Sequence, residues 1–412
     1  MVQFAGTRYL DTGVTTNAIY GSGTNWPGRR VRDVSDKIWL LDAQNATLTT
    51  LLRNLRKSKV TDPKFEWFED AYLAQSTTVA TPDTSSADTD FIVAAGTGIY
   101  GRVYDLWMCS ETGEVVMITA ISTDTWTVIR GVGSGGGTPI DSGDTLFYIG
   151  NAIPTGKGER AKLSTQTAPI YNYTQLMKEG LELTRTADMT NLFGGPERTY
   201  LRRKHAEQHL RDIERTFWFG KRDDLIQSDS PTASVIPGMD YTTRGVLEFL
   251  ATNESENLTG SMTEDEFELI LEGAFRYGNS TKFMFCAPRA CTVIDSWGRA
   301  KLELVPKDTT YGIEINRYKS SHGELNIIMN RLFYDFATGG TFDTDGPYRD
   351  YGKFSCILDL EYLGYKYLLD TILETDIQEN DAETFEDQYR TQAGLFLAHE
   401  THHTEIHNWS LS

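Results

Sequence analysis

Between residues 195 and 220 the apolar positions recur with a helical period: Ala206, Leu210, Ile213 and Phe217 fall at i, i+4, i+7 and i+11. Arg203, Glu207 and Arg211 form an i,i+4 charge ladder on another side of the same stretch. Pro196 suits the first turn, where its missing N–H costs nothing, and Glu197 favours the positive end of the helix dipole. Gly220 suits a left-handed cap. The spacing predicts one helix over residues 196–219, roughly 35 Å long and packed along one edge.

Elsewhere the period changes several times. Leu48, Leu51, Leu52 and Leu55 predict a helix over Ile38–Lys59 that ends in a basic cluster and is broken by Pro63. Residues 75–90, QSTTVATPDTSSADTD, have linker composition. Five short β-rich runs follow at Phe91–Ala95, Val103–Cys109, Val115–Ile121, Thr125–Arg130 and Leu146–Ile149, separated by Gly-rich and polar turns. They predict a small inserted β-barrel or sandwich. Thr263 and Glu266 make a capping box ahead of Phe267, Ile270, Leu271 and Ala274, with Gly278 where a C-terminal cap belongs. Lys282–Ala287 reads as a buried strand, Pro288–Trp297 as a helix, and Glu324–Met329, Phe354–Leu360, Tyr365–Leu369 and Leu395–Ile406 as strands. The chain is α+β.

Composition narrows the function classes. At 412 residues the chain is long enough for two or three domains. No run approaches the ~18 apolar residues of a membrane span, and the N-terminus lacks the basic start and apolar block of a secretory signal. Four scattered cysteines without a Cys-x-x-Cys pair fit small core residues in a reducing compartment, so a cytoplasmic protein is expected. The formal charge of −19 argues against double-stranded DNA as a tightly held ligand. That charge is uneven: residues 1–64 hold ten Lys/Arg against five Asp/Glu, whereas residues 370–412 hold ten carboxylates and Arg390 alone. Basic and acidic ends on one chain attract each other between copies, or form two solvated faces. Residues 1–30 have neither period and read as an arm without a core of its own.

Three patterns suggest chemistry. Gly96-x-Gly98-x-x-Gly101 matches a dinucleotide fingerprint, but only eight residues precede the next turn and their Val, Tyr, Leu and Trp content favours a strand over the required helix. Gly150–Gly158 resembles a phosphate loop with one residue too many and no Ser or Thr for magnesium. His399-Glu400-x-x-His403, with His407 as a further ligand, satisfies a zinc-hydrolase pattern that works only on a helix. In a strand, which the Thr and bulky apolar neighbours favour, the two histidines stand ~13 Å apart. The zinc hydrolase is retained as the alternative from another class, and no cofactor is expected.

The order of parts carries a resemblance. KVTDPKFEWFEDAY (Lys59–Tyr72), the TGEVVMITAIS and WTVIRGVG stretches (Thr112–Gly133), IGNAIPTG (Ile149–Gly156), RGVLEFL (Arg244–Leu250), FRYGNSTKFMFCAPR (Phe275–Arg289) and TYGIEINRYKSSHGEL (Thr310–Leu325) are similar to stretches of a tailed-bacteriophage head-protein family. The chain resembles major capsid proteins with the Hong Kong 97-type fold. The resemblance implies a structural protein, not an enzyme, that self-assembles into hexamers and pentamers of an icosahedral head around phage double-stranded DNA. It implies an N-terminal arm and helix at 1–58 and an extended loop at 59–175 carrying the β insertion at about 88–151. A peripheral domain at 176–222 and 346–412 with the spine helix 196–219, and an axial domain at 223–345, complete it. Portal, scaffold or decoration proteins are implied partners, with only weak non-specific contact to packaged DNA and none to membrane. The implied location is the virion capsid, assembled in the host bacterial cytoplasm. Arg29, Arg30, Arg32, Arg53, Arg56 and Lys57 are expected to reach acidic patches on adjacent subunits, and Phe65, Trp67 and Phe68 to anchor the hinge to a neighbour. A bacterial nanocompartment shell of the same fold is the other structural alternative; a tail or decoration protein suits the β insertion but not the long helix.

Overall fold

The computed structural model describes residues 46–81, 89–133, 137–157, 160–190, 195–224, 241–250, 254–256, 262–297, 302–303, 316–336 and 351–410. The arm at 1–30, with Arg29 and Arg30, as well as Arg32 and the first part of the Ile38–Lys59 helix, lie outside these residues. The chain divides into two compact units, one of residues 1–65 with 172–412 and the other of residues 66–171.

The first helix, α1 (Thr47–Leu55), buries Leu48, Leu51 and Leu52, while Leu55 is half exposed. It ends earlier than its sequence suggests. Lys57–Lys59 is not helical but forms strand β1, pairing in parallel with Tyr365–Tyr367, so sheet hydrogen bonds outweigh the helix propensity of its lysines. After it, β2 (Lys64–Glu69) buries Phe65 and turns Phe68 outward.

The second unit is a closed six-stranded barrel of β3 (Ser76–Thr81), β4 (Asp90–Val93), β5 (Asp105–Cys109), β6 (Val115–Ser122), β7 (Thr125–Ile129) and β8 (Thr145–Asn151). Five strands were expected there; the sixth, β3, lies in the stretch read as a linker. Its Ser and Thr content hides a two-residue period in which Thr77 and Val79 are buried, and closure removes the edge strands that an open sheet would expose. The barrel is filled by Trp107 and Trp126, both fully buried with ring centroids 4.9 Å apart, and Trp126 Nε1 donates to Gly98 O at 3.0 Å. Close packing explains two glycines of the nucleotide-like motif. A Cβ on Gly98 would stand 2.0 Å from Thr123 O, and one on Gly101 2.7 Å from Ile118 Cδ1. Gly96-x-Gly98-x-x-Gly101 is thus a tight turn into a 3₁₀ segment over a tryptophan, as its following strand suggests. Buried Glu114 fastens one end of the barrel, accepting Arg130 Nε at 2.8 Å and Nη2 at 2.6 Å together with the amides of Gly131 and Thr138.

The chain leaves through β9 (Ala168–Tyr173), which pairs with β2, and continues as β10 (Gln175–Thr184), the short α2 (Arg185–Met189) and the long α3 (Glu197–Phe219). Then come β11 (Asp223–Asp224), β12 (Tyr241–Thr242), α4 (Val246–Phe249), β13 (Glu254–Glu256), α5 (Glu264–Ala274), β14 (Thr281–Cys286), α6 (Pro288–Ser296) and β15 (Leu302–Glu303). The remaining strands are β16 (Asn316–Lys319), β17 (Glu324–Met329), β18 (Ser355–Leu358), β19 (Leu363–Glu374), β20 (Thr384–Leu397) and β21 (Thr404–His407). Two sheets organise the first unit: a four-stranded sheet ordered β1-β19-β20-β10, and a seven-stranded sheet ordered β13-β21-β18-β14-β17-β16-β15. The capping box of α5 is present in full, and its Phe267, Leu271 and Ala274 join a core with Met284, Ile327, Ile357 and Trp409.

Several expectations change in detail. The closing segment does not form one group of returning strands, because β18 pairs with β14 and β21 with β18 in the seven-stranded sheet while β19 and β20 join the other. Leu395–Ile406 is not a single strand: β20 stops at Leu397, His399 takes a left-handed φ of 55°, and β21 begins at Thr404. The stretch 354–360 is strand only over Ser355–Leu358, and α5 ends at Ala274, four residues before Gly278. Cys286 and Cys291 are not isolated thiols; they form a disulfide with Cα atoms 6.4 Å apart, whereas Cys109 and Cys356 are free and buried. Pro196 is the N-cap of α3 rather than its first helical residue.

Gly220 follows α3 with φ −59° and ψ 141°, so it is not the left-handed cap expected of it. Its role is steric, since a Cβ there would stand 2.5 Å from Thr216 O and 2.6 Å from Thr243 O, both main-chain atoms. Gly220→Ala is expected to lower unfolding free energy by about 1–3 kcal/mol, the usual cost of overpacking. Gly180→Ala, where a Cβ meets nothing within 4 Å, is the control that should stay near neutral in the same denaturant titration.

Candidate functional site

The centre of the first unit is the buried face of α3, made by His209, Ile213, Glu214, Phe217 and Trp218. Two of these are polar. Glu214 is fully buried and its carboxylate accepts the amides of Leu48 at 3.0 Å and Thr49 at 2.7 Å, Trp218 Nε1 at 2.9 Å and Asn330 Nδ2 at 3.2 Å. Those amides are the unpaired donors at the start of α1, whose own N-cap residue, Ala46, offers no side-chain bond. Glu214 therefore caps a helix 165 residues away and fixes the base of the N-terminal segment to α3. Burial raises the Glu214 carboxyl, opposed by these donors. The positive end of α1 also favours the carboxylate.

At the other end of α3, Arg198 grips Asp387 on β20 through Nε at 3.0 Å and Nη2 at 2.6 Å, and Arg202 Nε adds a bond of 2.8 Å. Burial alone would raise the Asp387 carboxyl, but Arg198 and Arg202 hold it well below the usual carboxylate range. His209 Nε2 meets Thr391 Oγ1 at 2.7 Å, so the sheet is tied to α3 along its length. The helix was legible from periodicity, but Glu214, His209 and Asp387 were not singled out. The available signal was a carboxylate and an imidazole interrupting the apolar face beside Ile213.

The expected contact residues do not share one surface. Arg53 and Lys57 both face Asp370 of their own chain, Arg53 at 3.8 Å, while Arg56 is exposed. Phe65 is buried, Trp67 is half-buried with Nε1 donating to Glu69 at 2.8 Å, and Phe68 is 70% exposed. Tyr72, which the sequence reading did not single out, is fully exposed.

The zinc pattern loses its geometric basis. His399 breaks the backbone, Glu400–His402 is one 3₁₀ turn, and His403 is buried with Nδ1 accepting the Asp359 amide at 3.2 Å. A helix is needed to bring both histidines to one face, and none forms here. Next to this loop Lys282 is fully buried, its ammonium donating to Ala274 O, Tyr277 O and His402 O at 2.7, 2.8 and 2.7 Å. Burial lowers Lys282 to about 8, with Asp359 pulling it back. Burial, with Lys282 adding to it, lowers His403 to about 3. Among the described residues, the groups that converge as possible ligands are Cys109, Glu111 and Asp144 in the barrel. Their carboxylates hold the amides of Thr145 and Asp141 at 3.2 and 2.8 Å, which is a turn-forming role.

The sequence profile of the SU10 major capsid protein family matches residues 9–410. The major capsid protein of Pseudomonas phage PaMx41 is 23% identical over 235 residues, covering 54% of this chain and 54% of that protein, so the match spans about half the length of that relative. Among solved structures, that of Gordonia phage Cozz is similar with a TM-score of 0.49 and 10% identity, covering 99% of this chain and 100% of the other. The holo-SrpI encapsulin complex of Synechococcus elongatus PCC 7942 gives a TM-score of 0.37 and 11% identity over 60% of this chain and 78% of the other.

Two outcomes follow from the buried groups. Glu214→Ala is expected to cost about 3 kcal/mol or more, because buried donors lose their acceptor. Hydrogen exchange should then quicken at the α1 amides while β10 and β20 stay protected. For His403, the folded imidazole near 3 lies below its unfolded value of about 6.5, so the unfolded state binds more protons between these pH values. Its stabilising contribution is complete above pH 6.5 and declines toward pH 3, by roughly 4 kcal/mol. Unfolding free energies of the native chain and His403→Gln measured across that window should show a shallower acid loss in the variant.

Proposed function

The chain belongs to the SU10 major capsid protein family, and from that premise we propose that it self-assembles into the hexamers and pentamers of an icosahedral head enclosing phage double-stranded DNA. Its role in the family is structural, and its α+β fold is read here as the Hong Kong 97 type. The observation that carries the reading is a family match running from residue 9 to residue 410. Assembly takes place in the host bacterial cytoplasm, with portal, scaffold or decoration proteins as further partners. Net negative charge limits non-specific adhesion to packaged DNA.

In this reading residues 1–58 are the arm and its helix, and 59–175 the extended loop carrying the barrel. Residues 176–222 with β19 and β20 form the peripheral domain around α3. The axial domain is 223–345, to which β18 belongs through its hydrogen bonds with β14, and β21 through its bonds with β18 and β13. Arg29, Arg30, Arg32 and Arg56 reach acidic patches of adjacent copies, while Arg53 and Lys57 orient the base of the arm through Asp370. Phe65 seats the hinge in its own core, and Trp67 and Phe68 face a neighbour.

The test is negative-stain microscopy with sedimentation of the purified full-length chain, alone and with its scaffold if one is required. Closed shells, tubes or capsomers of megadalton mass are expected, and a discrete monomer under every condition would contradict the reading. Reversing Arg29, Arg30, Arg32 and Arg56 to Glu should leave a folded, soluble subunit by circular dichroism but abolish closed shells. Phe68→Ala should reduce shell yield without changing the melting temperature.

A further inference from the structure

The barrel unit carries a cleft of about 190 Å³ lined by Tyr72, Tyr100, Tyr148, Arg102, Asp105 and Arg160. Asp105 has a side chain only 1% exposed, pairs with Arg160 Nη2 and accepts the Arg102 amide at 3.0 Å. The Arg160 guanidinium lies over the Tyr148 ring, 5.5 Å from its centroid, and Arg102 Nη1 reaches Ala161 O at 3.4 Å. Two arginines and one carboxylate line the cleft, so it has a positive charge in excess. Asp105 neutralises Arg160, whereas among the described residues the Arg102 guanidinium makes only the long bond to Ala161 O, so the cleft retains an unneutralised guanidinium that suits an anionic group.

Size selects the kind of anion. The volume corresponds to about six waters, well below the roughly 300–1,000 Å³ of small-molecule sites. It suits one side chain, and the anionic group a protein side chain supplies is a carboxylate, which a guanidinium fork matches. The turn between β19 and β20, residues 375–383 (TDIQENDAE), supplies such groups: four carboxylates in nine residues with no lysine or arginine. Asp376 is held by Arg198 Nη2 at 2.6 Å, while Glu379, Asp381 and Glu383 are exposed. Ile377 beside them is 44% exposed and gives the tip an apolar contact to set against the fully exposed Tyr72 at the cleft.

We propose that the barrel cleft of one copy binds a carboxylate side chain from the acidic β19–β20 tip of a second copy. The inference rests on the capsid reading, which brings copies side by side. A labelled peptide of residues 375–383 is titrated against the dilute full-length chain, with shell formation measured separately. The native chain should bind the peptide, and Arg102→Gln, which leaves the Asp105–Arg160 pair intact, should weaken binding at least tenfold. The Glu379→Lys, Asp381→Lys, Glu383→Lys peptide should lose binding. In the assembling chain, those three substitutions and Arg102→Gln should each impair association, and their combination should cost no more than either alone. Absence of peptide binding, equal binding by Arg102→Gln, or fully additive losses would each overturn the proposal, as would competition by acetate without sensitivity to the tip charges. Failure of the native chain to form shells while the peptide still binds would overturn the capsid reading instead.

Discussion

The contact on which the first unit depends is the Glu214 carboxylate beneath α1. A helix of nine residues is too short to persist alone, and α1 has no capping side chain of its own. Its first amides find their acceptor only on α3, and its leucines find their core only beside it. Helix formation, capping and docking are therefore one event, and the seat of α1 on the folded unit is set by one acidic side chain. A carboxylate in this position costs desolvation, which four donors offset. Such a joint is either fully made or badly broken, because removing the acceptor strands every donor that faced it.

The same logic recurs along α3 and beside the seven-stranded sheet. Asp387 receives two guanidinium groups and the Asp376 amide, which orients α3 against β20 and pins the turn that follows β19. Lys282 gathers carbonyls from the end of α5, the following turn and the His402 loop, so one ammonium joins three segments. Apolar packing supplies the bulk of burial in both sheets, but it is non-directional. These buried charges determine which helix faces which strand. The proposed shell assembly would depend on this, because small rotations within one subunit accumulate over many copied contacts.

Local signals were read correctly where the local interaction is also the one that survives in the fold. The α5 capping box, the Glu324–Met329 strand and the long helix follow from spacing alone. Strand β3 was hidden because Ser and Thr at its exposed positions read as linker; only closure of the barrel gives its Thr77 and Val79 a core. Lys57–Lys59 looked helical because its partner strand lies three hundred residues away. The histidine motif looked like one strand because nothing local announces the left-handed turn at His399. Of the candidate contacts, the aromatic run was visible as a run, yet its division into a buried Phe65 and an exposed Phe68 required the strand's actual register.

By itself the sequence determined the α+β class, the length and apolar edge of α3, the presence of an all-β insertion and the order of parts that resembles a phage head protein. These rest on periodicity, composition and order, which are properties of neighbouring residues. Only the tertiary structure decided that Glu214 caps α1, that Asp387 is the anchor for Arg198 and Arg202, that β18 and β21 complete the seven-stranded sheet, and that Arg102, Asp105 and Arg160 meet in one cleft. Each of these joins residues distant in sequence. The meaning of a buried charge lies in its partner, and no local pattern names a partner that the fold alone brings near.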